Sequence, residues 1–323
     1  MDVLIYGAGA VGLGLASCLL KAGAQVDLLA RSNTVKAIAE NGLQREGIFG
    51  SYSASAATLG CYTSLNEIPV KNYTFILVCT KSFDSEQAAQ ALSQCPSIAQ
   101  GSTPIVLSQN GWGNAQIFTQ HFPTHRIYNA RVITGFQRHE PNHVSVTVHA
   151  DAIHIGSLFD SPLEAIAALA QGITQGDIPC EITPTIDRDL WAKMLFNCTL
   201  NPLGAILDVP YGALAEHSST RDLMDPIVAE IFTVCAAAGY QMHWETPEAF
   251  LEIFYGQQVP DTARHRSSTL QDIKAGKRTE IDALNGQIIA LSRTLNIDVP
   301  YNRAVYRLVK FLEKRQEARM KDE

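Results

Sequence analysis

The sequence predicts an α/β protein: an N-terminal doubly wound parallel sheet with antiparallel strands added at its edge, followed by an all-α C-terminal domain. Three observations lead there. Short apolar runs alternate with helical stretches over the first 110 or so residues, the rhythm of βαβ units. A glycine-rich turn, Gly7-Ala8-Gly9-Ala10-Val11-Gly12, joins the first apolar run to the first helix. From Asp187 onward the apolar spacing is helical almost to the end.

The elements follow in order. Residues 2–6 (DVLIY) form a first strand, and a helical stretch runs from the glycine turn to about Ala22. AQVDLLAR reads as the second strand, YTFILVCT (73–80) and TPIVLSQ (103–109) as later ones. Beyond residue 125 the rhythm changes. RIYNARVITGFQR, HVSVTVHA and AIHIG are short and rich in β-branched residues, as antiparallel edge strands would be. The Pro-containing stretch EITPTID (181–187) marks the boundary, giving domains of 1–184 and 185–323. Helices are expected over 187–200, 221–238, 262–275, 279–295 and 302–321. No internal repeat is present.

A length of 323 residues suits two domains, and 46% hydrophobic with 18% charged residues is the profile of a folded globular chain. The net charge of -7 argues against nucleic acid as a partner, since phosphate backbones demand clustered Lys and Arg. Seven scattered cysteines without a CxxC pair suit free thiols in a reducing compartment. The apolar N-terminus carries Asp2 where a leader would be basic, and no run approaches a bilayer's thickness. The expectation is a cytoplasmic protein with no membrane partner.

The glycine turn matches GxGxxG in the context that gives the pattern meaning, between a strand and a helix. Gly7 permits the tight turn, Gly9 lets a pyrophosphate approach the backbone, and Gly12 lets helix and strand pack closely. Ala8, Ala10 and Val11 supply further backbone N–H groups at the helix N-terminus, where the partial positive charge favours phosphate. This is the Rossmann-type dinucleotide cradle. The second strand then chooses the dinucleotide. An acidic residue at its end would hold an NAD ribose, but this strand ends Leu28-Leu29-Ala30-Arg31, with Asp27 too early. The planar fork of Arg31 matches a 2′-phosphate, so NADP (NADPH) is the expected cofactor.

Two further strand ends carry candidates: Lys81 after FILVCT, and Asn110 in SQNGWGN. Ligands of open α/β sheets bind beyond such carboxyl ends, although either residue alone would pass for an ordinary loop residue. In the helix over 187–200, Lys193, Asn197 and then Asn201 recur every four residues and so share a face. Solvated faces are seldom written in asparagine, a poor helix former, so the stripe reads evenly as a water-facing edge or as a buried polar lining. A lysine within such a lining could protonate the oxygen of a carbonyl receiving hydride. Ser267, Ser268, Glu280 and Asn285 follow in HRSSTLQDIKAGKRTEIDALNG. Thr279 could cap the next helix, which would put Glu280 in its first turn as a dipole carboxylate with no further role. His121 and His125 have metal-like spacing, but Pro123 between them opposes a zinc helix, and no metal is expected. His139 and His143 flank Pro141 in a hairpin turn.

Taken together, these residues make the chain resemble the ketopantoate reductase (2-dehydropantoate 2-reductase) family over nearly its whole length. The resemblance runs through GAGAVG, Arg31, FILVCTKSFD, SQNGWGN, LWAKMLFNCTLNPLGAIL, SSTLQDIKAGKRTEIDALNG and NIDVPYNRAVY. It implies an NADP-dependent oxidoreductase acting on a small-molecule 2-oxo acid, with ketopantoate reduction in pantothenate biosynthesis, on the coenzyme A pathway, as the leading reaction. It implies Lys193 as the general acid, with Asn197, Asn201 and Ser268 on the substrate. Lys81 and Asn110 would then meet cofactor and substrate, and Glu280 the nicotinamide ribose or Lys193. A monomer and a homodimer are both compatible with it. Tyr211 and Trp112 depart from the family pattern and alter the size and polarity of a substrate wall. Two other readings stand beside this one: a hydroxy-acid or opine-type dehydrogenase, and a sensor that binds NADP(H) without turnover. A sensor would need the cradle but not Lys193 and Glu280 together.

Overall fold

The computed structural model describes residues 1–69 and 72–322. It falls into two compact units, Met1–Gln109 with Asn114–Ile186, and Asn110–Gly113 with Asp187–Glu323. The short piece Asn110–Gly113 thus groups with the helical unit, although it directly follows a strand of the first.

The first unit is built on an eight-stranded sheet. Its strands are β1 (Asp2–Tyr6), β2 (Gln25–Leu29), β5 (Leu59–Tyr62), β6 (Phe75–Val78), β7 (Ile105–Leu107), β8 (Ile127–Arg131), β11 (Ile153–Gly156) and β12 (Cys180–Ile182). They lie in the order β12-β11-β8-β7-β6-β1-β2-β5. All neighbours from β5 to β8 are parallel, β11 runs antiparallel to β8, and β12 runs parallel to β11. The chain leaves β1 towards β2 and β5, then returns to the other side of β1 at β6. That reversal makes the carboxyl ends of β1 and β6 the switch point where such sheets bind ligands.

The strands are buried on both faces, so successive residues serve two cores. Val3, Ile5 and Leu77 join one core with the helices Ala10–Lys21 and Glu164–Gln175. Leu4, Ile76 and Val78 join the other with Ala88, Ala89 and Leu92 of the helix Ser85–Ser93.

The expected antiparallel addition at the edge is β11. The hairpin of β9 (Thr134–Glu140) and β10 (His143–His149) lies elsewhere. It forms a separate four-stranded sheet with β3 (Leu43–Gly47) and β4 (Tyr52–Ala54), in the order β4-β3-β10-β9. The reason is a distant partner: β10 pairs in parallel with β3, His143 opposite Gln44. This sheet covers the outer side of the helix Ala10–Lys21, which accordingly has every residue from Gly12 to Leu20 buried. Phe136 of β9 occupies the space at Gly14, where a Cβ would sit 2.2 Å from its ring.

The second unit is helical: Ile186–Leu207, Tyr211–Glu216, Ser218–Ala237, Pro247–Ile253, Ser268–Lys274, Asn285–Thr294 and Pro300–Asp322 are its principal helices. Three differ from the expected spans. The first runs through Pro202 to Leu207. Proline donates no N–H to the carbonyl four residues back, and Cys198 O instead accepts from Asn285 Nδ2 at 3.0 Å. The helix expected over 262–275 begins only at Ser268. The carbonyls of Ala263 and His265 are engaged instead by the N–H groups of Gly212 and Tyr211, at 2.9 and 3.0 Å. The helix expected from 279 begins at Asn285, so Glu280 lies in the preceding turn and not in a first helical turn.

Candidate active site

In the first unit the candidate residues stand past the carboxyl ends of the adjacent strands β1, β2 and β6. Gly7 has φ +111°, a conformation side chains resist, and an added Cβ would lie 2.8 Å from Thr80 N. A Cβ on Gly12 would lie 1.9 Å from Gly7 O, so only glycine lets the helix start this close to β1. At Gly9 the nearest atom to an added Cβ is Cys79 O at 3.9 Å, which leaves the backbone approachable. Gly9 is the N-cap of the helix Ala10–Lys21, no side chain caps it, and no acidic residue stands in its first turn. Ala8, Ala10 and Val11 therefore present uncapped backbone where an anion is favoured. These features fit a dinucleotide pyrophosphate: room at one glycine, forced closeness at the other two, and no competing carboxylate.

Arg31 follows β2 as the N-cap of the helix Ser32–Asn41 and is exposed. Asp27 is buried within β2, where its Oδ2 accepts from Tyr73 Oη at 2.6 Å, far from the role of a ribose ligand at the strand end. Lys81 sits three residues past β6, partly exposed. Its carbonyl accepts from Gln109 Nε2 and from Asp84 N, which fixes the loop that carries it. Burial pushes the Cys79 thiol beside this turn up to about 12, so it stays protonated.

In the second unit Lys193, Asn110 and Glu280 form one chain of hydrogen bonds. Lys193 Nζ donates to Asn110 Oδ1 at 2.7 Å, and Asn110 Nδ2 donates to Glu280 Oε2 at 2.9 Å. Three local features bring them together. Gly111 has φ +89°, and an added Cβ would lie 2.4 Å from Ala283 O, so the strap Asn110–Gly113 can lie flat on the 280–283 turn. Trp112 N donates to Ala283 O at 3.0 Å, and its indole packs on Trp191 and Tyr240, with ring centroids 4.5 and 4.9 Å away. Thr279, next to Glu280, donates from both N and Oγ1 to Glu313 Oε1 at 2.7 Å. Glu280 is only 6% exposed and lies outside the first turn of the helix Asn285–Thr294, so its buried carboxylate is paired with the Asn110 amide and not with a helix end.

The lysine–asparagine stripe passes from a partly exposed to a buried setting: Lys193 and Asn197 are partly exposed, and Asn201 is buried. Asn201 Oδ1 accepts from Tyr211 Oη. Tyr211 is itself buried, with Phe196 edge-on at 5.6 Å, and burial holds its hydroxyl well above the usual phenol value. His265 packs on the other side of that ring at 5.2 Å, and burial lowers its imidazole below the ordinary value.

The neighbouring serines part company. Ser267 is fully buried and spends its hydroxyl as an N-cap, accepting from Leu270 N at 3.0 Å, while Ser268 is exposed at the first residue of that helix. Asn285 is a structural residue, bonded to Cys198 O and Asn302 Oδ1. His121 pairs with Glu86 at 2.9 Å, and among the described residues no cluster of metal-ligating side chains occurs. His139 and His143 do flank the β9–β10 turn.

Sequence reasoning missed the Tyr211–Asn201 bond, because nothing in the spacing tells which residue a buried tyrosine meets. It also missed Arg138, whose guanidinium reaches Ala8 O at 3.2 Å. The Asn285 contact had a signal: a proline inside a helix orphans the carbonyl four residues earlier.

Comparison with known proteins agrees with this geometry. Residues 3–159 match the family model described as Ketopantoate reductase PanE/ApbA, and residues 185–313 match Ketopantoate reductase PanE/ApbA C terminal. The 2-dehydropantoate 2-reductase of Aquifex aeolicus (strain VF5) is 33% identical over 314 residues, 97% of each chain. Among solved structures, the PanE/ApbA family ketopantoate reductase from Ralstonia eutropha JMP134 is 31% identical with a TM-score of 0.85, over 98% of this chain and 100% of that one. The ternary structure of D-mandelate dehydrogenase with NADH and anilino(oxo)acetate is 25% identical with a TM-score of 0.87, over 98% and 99%. Among the described residues no helix is long and apolar enough to cross a membrane. With matched models on both units and a relative aligned end to end, this chain belongs to the ketopantoate reductase family of oxidoreductases.

Proposed function

We propose that the protein reduces a 2-oxo acid with NADPH, with ketopantoate to pantoate, in pantothenate biosynthesis, as the leading reaction. The observation that carries this reading is the Lys193–Asn110–Glu280 chain, three side chains from distant segments bonded in series. When bound, the reduced nicotinamide supplies the hydride. The cradle of Gly7–Gly12 holds the pyrophosphate, Arg31 pairs with the 2′-phosphate, and Lys81 adds positive charge at the neighbouring strand end.

Hydride arriving at the carbonyl carbon leaves negative charge on the oxygen, and Lys193 Nζ donates the proton that neutralises it. An ammonium group has three N–H donors, of which Asn110 Oδ1 takes one and so aims the group. Glu280, accepting from the other end of the Asn110 amide, fixes that amide's orientation and balances the lysine charge. Asn197, Asn201 and Ser268 hold the substrate carboxylate and hydroxyl. The hydroxyl of Tyr211 occupies Asn201 Oδ1, which leaves the Nδ2 donors for a carboxylate oxygen.

A second reading keeps the chemistry and changes the side group. Tyr211, bonded to Asn201, and Trp112, beside Asn110, stand next to proposed substrate and relay residues, and their bulk favours a larger or aryl-bearing 2-oxo acid. The likeness to a D-mandelate dehydrogenase points the same way. The test is oxidation of NADPH and NADH with saturating ketopantoate and with an aryl 2-oxo acid. Rapid oxidation of NADPH with ketopantoate supports the first reading. Turnover only with the aryl acid supports the second. Cofactor binding without any oxidation would leave the sensor reading.

A further inference from the structure

The glycine cradle has a second arginine that the reaction above does not use. Arg138, on β9, stands at the rim of the turn and is held by four acceptors: Glu140 O at 3.1 Å through Nε, Ala8 O at 3.2 Å through Nη1, and Thr34 Oγ1 at 2.8 Å and Pro141 O at 3.0 Å through Nη2. Ala8 belongs to the turn itself, and Thr34 lies in the first turn of the helix that Arg31 caps. The guanidinium therefore bridges the two segments that frame the adenosine end of a dinucleotide in a cradle of this type. We propose that Arg138 is a specificity residue for the adenosine 2′-phosphate, a fixed positive charge that works with the guanidinium fork of Arg31.

The proposal rests on the NADPH reading and sharpens it. Both guanidinium groups are cations, and neither forms a salt bridge with a carboxylate among the described residues. Two like charges brought to one rim disfavour each other, and an anion placed there relieves both. Burial, and after it the charge of Arg31, lowers the Arg138 guanidinium from its ordinary value, as such a pairing requires.

The two arginines divide the work. Arg138 has four of its five N–H donors committed to neutral acceptors, so its charge stays in place at no further ordering cost. Arg31, exposed like Arg138 but without that set of acceptors, keeps its donors for the phosphate oxygens. A purely mechanical role, stapling the β9–β10 hairpin to the glycine turn, is the alternative. It would affect any nucleotide equally.

Calorimetric titration with 2′,5′-ADP and 5′-AMP separates the two, with no turnover required. In the wild type, 2′,5′-ADP is expected to bind more tightly. Arg138→Gln, which keeps hydrogen-bonding capacity and loses charge, is expected to weaken 2′,5′-ADP about tenfold while leaving 5′-AMP unchanged. Arg138→Lys keeps the charge, and it is expected to retain most of the wild-type preference whether or not the Gln variant folds. Equal weakening of both nucleotides by Arg138→Gln, or an Arg138→Lys variant that melts like wild type yet has no preference, overturns the proposal. If Arg31→Gln alone abolishes the preference and Arg138→Gln leaves it intact, the NADPH reading survives without Arg138. A wild type that does not distinguish the nucleotides overturns the NADPH reading itself.

Discussion

The two units build their sites from opposite materials. In the first, the proposed cradle is defined by what is missing: no Cβ at Gly7, Gly9 and Gly12, and no side-chain cap on the helix that follows. Backbone amides are the proposed ligands there, and they are set by close packing of the glycine turn on itself and on Cys79 and Thr80 after β6. In the second, the proposed site consists of side chains bonded to one another across long stretches of chain. Lys193 and Asn110 are 83 residues apart, and Asn110 and Glu280 are 170 apart. A site of the first kind breaks when atoms are added; a site of the second kind breaks when a partner is removed.

Gly12→Ala is the strongest test of the first half. A methyl group 1.9 Å from Gly7 O must push the helix off β1, so the variant should lose about 1–3 kcal/mol of stability and most of its affinity for dinucleotide. Thermal melting and cofactor titration read these two losses. A variant that binds like wild type would show that the closeness of helix and strand is irrelevant.

Asn110→Ala is the matching test of the second half. It removes the acceptor of Lys193 and the donor to Glu280, hydrogen bonds to charged groups worth about 1.5–3 kcal/mol each. The expected result is a kcat lower by about one to two orders of magnitude, with dinucleotide affinity retained. A loss confined to dinucleotide affinity would assign Asn110 to the cofactor and dissolve the relay.

Tyr211→Phe is a smaller change. The phenol donates to Asn201 Oδ1 and stays protonated, because burial raises its pKa. Its loss leaves a buried acceptor unpaired and the amide free to turn, so KM for the oxo acid should rise about tenfold while kcat moves little. An unchanged KM would separate Asn201 from the substrate.

The least effect comes from His265 beside that ring. Burial lowers its folded-state pKa below the ordinary imidazole value of 6.5, so the neutral form is favoured by folding. Its contribution to stability is complete above about pH 6.5 and is lost as pH falls through the depressed folded value. Melting temperature should therefore decline on acidification through this window, and the decline should shrink in His265→Gln.

This contrast also explains which parts of the molecule were readable in advance. The glycine turn and strands β1, β2, β6 and β7 were legible because each rests on local spacing, whereas the short strands β3, β4, β5 and β12 were not, and β8, expected to be antiparallel, pairs in parallel with β7. So was the stripe of Lys193, Asn197 and Asn201, which needs only helical periodicity. The relay was legible as a set of residues but not as a set of bonds. Its bonds depend on Gly111 lying against Ala283 and on Thr279 being held by Glu313, contacts between distant segments. The β9–β10 hairpin escaped for the same reason: its strands were plain, and their partner β3 lay a hundred residues away. Arg138 carried no signal at all, since a strand-end arginine in TGFQRHE looks like any solvated one.

The central claim is that Lys193 is the proton donor to the substrate oxygen. Single-turnover oxidation of bound NADPH, compared between wild type and Lys193→Ala at saturating 2-oxo acid, addresses it without interference from product release. The expected rate is lower by about 10²–10⁴-fold with NADPH affinity unchanged. A rate near wild type, or a loss of rate matched by an equal loss of NADPH binding, would contradict it.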